Sequence, residues 1–207
     1  MMNPKNNKTG CLIVVSGPSG SGKSTIVNSV LDTCKDLSFS VSATTRSQRE
    51  GETEGVDYFF VTKEQFQQMV DNNELLEHAE YVGNFYGTPR KAVLDKIENG
   101  QSILLDIEVQ GAEQIKRQYP DAVTMFVVPP SWEELEKRLV NRGTDSMEKI
   151  QARLKQAKSE IEKIENYDYI IVNDVLETAI SEVISIIATQ DYKYDKRIND
   201  LTEAYSL

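Results

Sequence analysis

The chain of 207 residues is poor in the residues that staple or metallate small proteins: two cysteines, one histidine and one tryptophan. Cys11 and Cys34 cannot form a disulfide framework, and neither has the Cys/His partner set of a zinc site, so both read as packing residues. Cations are scarce, with 23 Lys and Arg against 33 Asp and Glu, a net charge of −10. Such a surface repels polyanions, which argues against nucleic-acid or membrane-surface binding. No apolar run is long enough to span a bilayer, and residues 1–10 carry no signal-like hydrophobic stretch. The expectation is a cytoplasmic protein that binds anions only where its few cations are gathered.

What is present is an alternation of short apolar runs and helical segments. Cys11–Ser16, Ser102–Ile107, Ala122–Val128 and Tyr169–Val172 read as strands buried on both faces. A helix follows the first to about Lys35. Pro129-Pro130 breaks the chain before a helix capped by Ser131 with Glu134. Asp145 with Glu148 gives the same capping signal ahead of an apolar stripe at Ile150, Leu154, Ala157, Ile161 and Ile164. This pattern predicts an α/β fold with a mainly parallel, doubly wound sheet. Residues 39–99 differ. They hold short strand-like pieces, turns at Glu50-Gly51 and Gly83-Asn84, a helix capped by Thr62 with Gln65, and a helix opened by Thr88-Pro89. The expected plan is a disordered start (1–10), a core of 11–38 and 100–190 with a small α+β insertion (39–99), and a polar tail (191–207).

Gly17-Pro18-Ser19-Gly20-Ser21-Gly22-Lys23-Ser24, followed by Thr25, fits G-x-x-x-x-G-K-[ST] between a buried strand and a helix. Glycines let the backbone curl its N–H groups toward phosphate oxygens, and the helix N-terminus adds partial positive charge. Lys23 would reach the β/γ-phosphates and the Ser24 hydroxyl would ligate Mg²⁺. The motif names a nucleoside triphosphate and leaves the acceptor open. Arg46 and Arg49 form a forked pair suited to a phosphate dianion, with Tyr58 and Tyr86 as phenolic partners; singly, each also fits an ordinary surface position.

The ordered series SGPSGSGKST, SATTRSQREGE, DYFF, NNELLEHAEYVGNFYGTP, LLDIEVQGA and IVND resembles guanylate kinase from about residue 11 to 190. The resemblance implies a P-loop core, an insertion binding GMP, a helical lid at about 138–155, and transfer of a phosphoryl group from ATP to GMP with Mg²⁺. It matches Arg46, Arg49, Tyr58 and Tyr86 to the GMP phosphate, and Ser42, Glu77 and Thr88 to guanine. Independently, one carboxylate can accept both N1–H and the N2 amine of guanine, while hydroxyls can donate to O6. Asp106 and Glu108 share a face at the sheet's carboxyl edge and border the ribose and the metal's water shell, though Glu108 also suits a helix cap. Arg138, Arg142 and Arg153 match lid arginines that close on the transferring phosphoryl group; Arg142 equally suits a helix C-terminus. Asn173 matches an adenine-side contact. His78 and Trp132 read as structural, since the GMP phosphate is already a nucleophile and needs no base. The expected small-molecule partners are ATP, GMP and dGMP, and a homodimer stays open. Two rivals remain: a guanylate-kinase-like scaffold module that binds peptides without turnover, and a P-loop kinase for another phosphate such as a phosphorylated ribose.

Overall fold

A computed structural model describes residues 10–81, 83–141 and 146–193. Its main sheet is parallel throughout, in the order β2 (Ser38–Phe39), β7 (Ile103–Asp106), β1 (Leu12–Ser16), β8 (Val123–Val128), β9 (Tyr169–Val172). Every residue of β1 is buried, and its alternation divides the core in two. Ile13 and Val15 pack with Ile26, Val27 and Val30 of α1 (Lys23–Thr33) and with Ala179 and Val183 of α7 (Leu176–Thr189). Leu12 and Val14 pack the other way, with Val93 of α3 (Arg90–Glu98) and Ala112 and Ile115 of α4 (Val109–Gln118). Helices on both faces explain why β1, β7 and β8 read as continuous apolar runs; β9, at the sheet edge, buries only Ile171 and leaves Tyr169, Ile170 and Val172 exposed, against the expectation of a strand covered on both faces. β1 lies between β7 and β8, and ligands of such sheets gather beyond the carboxyl ends where strand order reverses.

The second sheet runs β4 (Tyr58–Phe60), β3 (Ser42–Thr44), β6 (Asn84–Pro89), β5 (Leu75–Tyr81). It is fastened to the core through α4. Gln114 donates from Nε2 to the His78 carbonyl (2.6 Å) and accepts from the His78 amide (3.2 Å), and Gln118 Nε2 donates to the Leu76 carbonyl (3.1 Å). The predicted capping box at Thr62 and Gln65 is present on α2 (Lys63–Asp71).

The structure draws the insertion more tightly than 39–99. Phe39 lies in β2 of the core sheet, and Val93, Leu94 and Ile97 of α3 pack on the core, leaving the second sheet within 42–89. α1 stops at Thr33, because Cys34 leaves helical geometry. Ser131 accepts from the amide of Glu134 (3.2 Å) to start α5 (Trp132–Asn141), but Glu134 turns its carboxylate to Arg138. Ser146 caps α6 (Met147–Ile161) in place of the expected Asp145, which lies outside the described residues, as do Arg142, residues 1–9 and 194–207. Gly10 is part of the fold, its amide donating to the Ile97 carbonyl (2.9 Å). Among the described residues, no helix is long and apolar enough to cross a membrane.

Candidate active site

A cleft of about 310 Å³ lies between the loop after β1 and the second sheet. Gly17 through Thr25 form one wall; Ser42, Arg46, Arg49, Tyr58, Glu77 and Tyr86 form the other; Asp106, Glu108 and Arg153 close the floor and rim. Loop and helix meet at Gly22, where φ is 89°, a value that strains any residue with a Cβ. Gly17 approaches the Val127 carbonyl so closely that a Cβ would overlap it. The loop is therefore a tight backbone turn at the start of α1 that lines the cleft.

The Lys23 ammonium pairs with the Asp106 carboxylate beneath the loop. Burial alone would lower its pKa, but the charges of Asp106 and Glu108 and the hydrogen bond to Asp106 hold it above the ordinary lysine range. Lys23 is thus a fixed cation on the loop wall of the cleft. Glu108 stands at the N-terminal cap of α4 but makes no side-chain capping bond, so its carboxylate serves the cleft and not the helix. Burial raises its pKa, Lys23 opposes, and Asp106 adds to the rise.

Across the cleft, Arg46 makes a two-pronged contact with Glu52, Nη1 to Oε2 at 3.0 Å and Nη2 to Oε1 at 2.7 Å. Glu52 Oε2 also accepts the amide of Arg49 (2.8 Å). The guanidinium carbon of Arg46 lies 5.3 Å from the ring centre of Tyr58, which meets Tyr86 edge-on at 6.0 Å. In this structure the Arg46 fork is thus filled by a carboxylate of the chain itself.

Glu77 is 3% exposed. Thr88 Oγ1 donates to its Oε1 (2.6 Å), and Oε2 lies against Gly111 of α4, where any Cβ would overlap it. Gly111 is what lets a carboxylate sit between the two sheets. Burial pushes the Glu77 carboxyl up to about 7, against the hydrogen bonds from Thr88 and with help from the charge of Glu108.

Arg138 and Asn173 are outside the cleft lining. Arg138 donates from Nε to Glu134 (2.9 Å), from Nη2 to the Asn173 carbonyl (3.0 Å) and from Nη1 to the Ser21 carbonyl (3.5 Å). Asn173 Nδ2 donates to the same Ser21 carbonyl (2.8 Å).

The guanylate kinase family model matches residues 9–190 of this chain. The chain belongs to the guanylate kinase family. The guanylate kinase of Oceanobacillus iheyensis is 48% identical over 187 residues, covering 90% of this chain and 91% of its own. That of Clostridioides difficile is 46% identical, covering 96% and 97%. The crystal structure of guanylate kinase from Anaplasma phagocytophilum superposes with a TM-score of 0.79 at 38% identity, covering 95% of each chain.

Within this guanylate kinase fold, the residues expected from sequence are only partly gathered. The P-loop, Ser42, Arg46, Arg49, Tyr58, Glu77, Tyr86, Asp106, Glu108 and Arg153 share one cleft. Thr88, expected to donate to guanine, is fully buried and gives its single hydroxyl proton to Glu77. Arg138 and Asn173, expected on the nucleotide, hold the back of the loop. Sequence reasoning missed Glu52, whose only signal is an acid six residues after Arg46 on the same turn. It also missed Tyr81, which lines the cleft from the end of β5.

Glu160 of α6 is 8% exposed, and its carboxyl is also pushed up to about 7, by burial first, with its hydrogen bond to Gln156 opposing and Glu108 adding to the rise. For Glu77 and Glu160, unfolding releases protons between the ordinary 4.5 and about 7. Their contribution to stability is therefore complete below 4.5 and is lost as pH rises through about 7, each by up to about 1.4 kcal/mol per pH unit. Urea titrations across that window should show Glu160→Gln losing less stability than the parent chain. Parallel losses would place the Glu160 carboxyl at an ordinary pKa.

Proposed function

We propose that this cleft carries out transfer of the γ-phosphoryl group of ATP to GMP, giving ADP and GDP. The observation that carries the reading is the facing of two anion sites in one cleft: the P-loop with Lys23, and the Arg46–Arg49 turn with Tyr58 and Tyr86. The P-loop amides and Lys23 hold the donor phosphates. Arg46, Arg49, Tyr58 and Tyr86 hold the GMP phosphate, whose oxygen attacks in line, with Arg153 at the rim for the charge that develops. Positioning and charge neutralisation supply most of the rate in such transfers. Ser42 and Glu77 read guanine, Thr88 acts on Glu77, and GMP and dGMP are the acceptors of this reading. Arg142 and the remainder of the lid belong to the same reading.

Mg²⁺ is the ion this chemistry takes. Ser24 and Asp106 put two hard oxygen donors on the cleft wall, and among the described residues no group of three or more His, Cys, Asp or Glu is arranged as a cage. That donor set fits an ion held mainly by phosphates and water. When bound, Mg²⁺ neutralises charge on the β- and γ-phosphates.

A ³¹P spectrum of the protein with MgATP and GMP should show ADP and GDP appearing together. Silence with GMP would favour the peptide-binding scaffold module. Arg46→Ala should raise KM for GMP and lower kcat, about 10–100-fold together in kcat/KM, since the clamp both binds and aims the attacking oxygen. Unchanged GMP kinetics would put the acceptor elsewhere.

A further inference from the structure

We propose that Gln114 is a positioning residue for base recognition: from α4 it fixes the β5 backbone beside Glu77 and so sets where the carboxylate meets the base. The inference rests on the reading of Glu77 as the residue that accepts from guanine.

β5 is an edge strand of the second sheet, and Glu77 sits where its pairing is interrupted. Leu75 stands opposite Pro89 and His78 opposite Gly87, so three steps along β5 meet two along β6. The extra residue falls at Leu76–Glu77, and such a bulge frees its strand locally from the ladder that would fix it. The neighbouring strand therefore does not by itself set the direction of the Glu77 side chain. Thr88 Oγ1 ties down Oε1 (2.6 Å), and the backbone beneath the carboxylate is left to be held from the outer edge.

α4 supplies that hold. Gln114 bonds both main-chain groups of His78, accepting from the amide (3.2 Å) and donating from Nε2 to the carbonyl (2.6 Å), as a further strand would. Gln118 Nε2 donates to the Leu76 carbonyl (3.1 Å). Gly111, Gln114 and Gln118 are spaced by three and four residues, on one face of the helix. The two glutamines thus grip the residues before and after Glu77, and the glycine leaves the space that Oε2 occupies. Leu76 is buried in the core cluster that includes Ala112 and Ile115, so β5 has an apolar anchor on α4 apart from the glutamines. What Gln114 adds is the placing of the residue next to its partner.

A residue that merely holds the fold lowers the rate with every acceptor alike, whereas one that places Glu77 acts on the acceptor whose base fills that carboxylate. Initial rates with GMP and IMP at saturating MgATP separate the two. Gln114→Met, which keeps the length of the side chain, and Gln114→Ala both lose the two hydrogen bonds to His78. Each should narrow the GMP-over-IMP ratio in kcat/KM by about three- to tenfold, through a loss on GMP, with KM for ATP as in the parent chain. An unchanged ratio, or an equal loss on GMP and IMP, overturns the inference. Failure of both variants to fold overturns it too, because Gln114 would then hold the fold and not the carboxylate. The ¹³C signal of the Glu77 carboxyl gives a readout that needs no turnover. Its titration midpoint, about 7 in the parent chain, should fall toward the ordinary carboxylate range in both variants as water reaches it. A parent chain that treats GMP and IMP alike would sink the guanine reading. The midpoint then decides, a fall supporting the place given to Gln114 and no change overturning it.

Discussion

Replacing Lys23 with alanine is expected to reduce kcat by about 10²–10³ while leaving the dissociation constant for GMP near that of the parent chain. Lys23 stands at the phosphate end of the cleft, and Ser42, Arg46, Arg49 and Glu77 belong to the second sheet and its turns, so the two halves can be damaged separately. The alanine also leaves the Asp106 and Glu108 carboxylates without the cation that faces them and removes the charge that opposes the rise of the Glu108 pKa. Lys23→Met keeps the aliphatic stem and should show the same loss of turnover, separating charge from packing. Steady-state kinetics with calorimetric GMP binding reads both quantities. Near-normal turnover in either variant would remove Lys23 from the chemistry.

The second large effect concerns the base. With MgATP saturating, IMP should fall about 10–150-fold below GMP in kcat/KM, because it keeps N1–H but lacks the N2 amine that Glu77 would accept. AMP should be worse, since it presents an acceptor at N1 to a buried carboxylate. The environment of Glu77 adds a pH dependence. Its carboxyl is pushed up to about 7 by burial, so below that pH the neutral acid predominates and carries a proton it can donate to adenine N1. The preference for GMP over AMP should therefore shrink as pH falls below about 7 and widen above it. Glu77→Gln, which offers an amide donor at every pH, should narrow the gap throughout. A preference that is flat with pH in the parent chain would mean that Glu77 does not face the base.

Much of the fold was legible because its signals are local. Four apolar runs became β1, β7, β8 and β9 with ends displaced by a residue or so; burial on both faces leaves little choice of residue in the first three, whereas β9, at the sheet edge, leaves Tyr169, Ile170 and Val172 exposed. The capping boxes were read less evenly. Thr62 with Gln65 formed in full, whereas Glu134 was drawn away by Arg138, one turn further along its own helix. A short pattern cannot tell which of two partners a carboxylate will choose. The insertion boundary failed at Phe39 and α3 for a related reason: whether a two-residue strand joins one sheet or another depends on a neighbour sixty residues away.

Sequence by itself determined the two ends of the chemistry. The glycine-rich loop requires φ values that strain other residues, and the paired arginines are set in a chain short of cations; both are properties of the residues themselves. Only the tertiary structure decided which side of the loop each candidate occupies. Thr88, Arg138 and Asn173 have the right functional groups for a nucleotide, and in this structure each donates to the protein, to Glu77, to Glu134 and the Asn173 carbonyl, and to Ser21, as Arg46 does to Glu52. Glu52 and Gly111, which sequence passed over, gained roles by lying against Arg46 and Glu77. Gly111 acts by the side chain it lacks; for the other four the physical reason is common. A buried donor or acceptor must find a partner, and the partner is set by distances that the folded chain alone fixes.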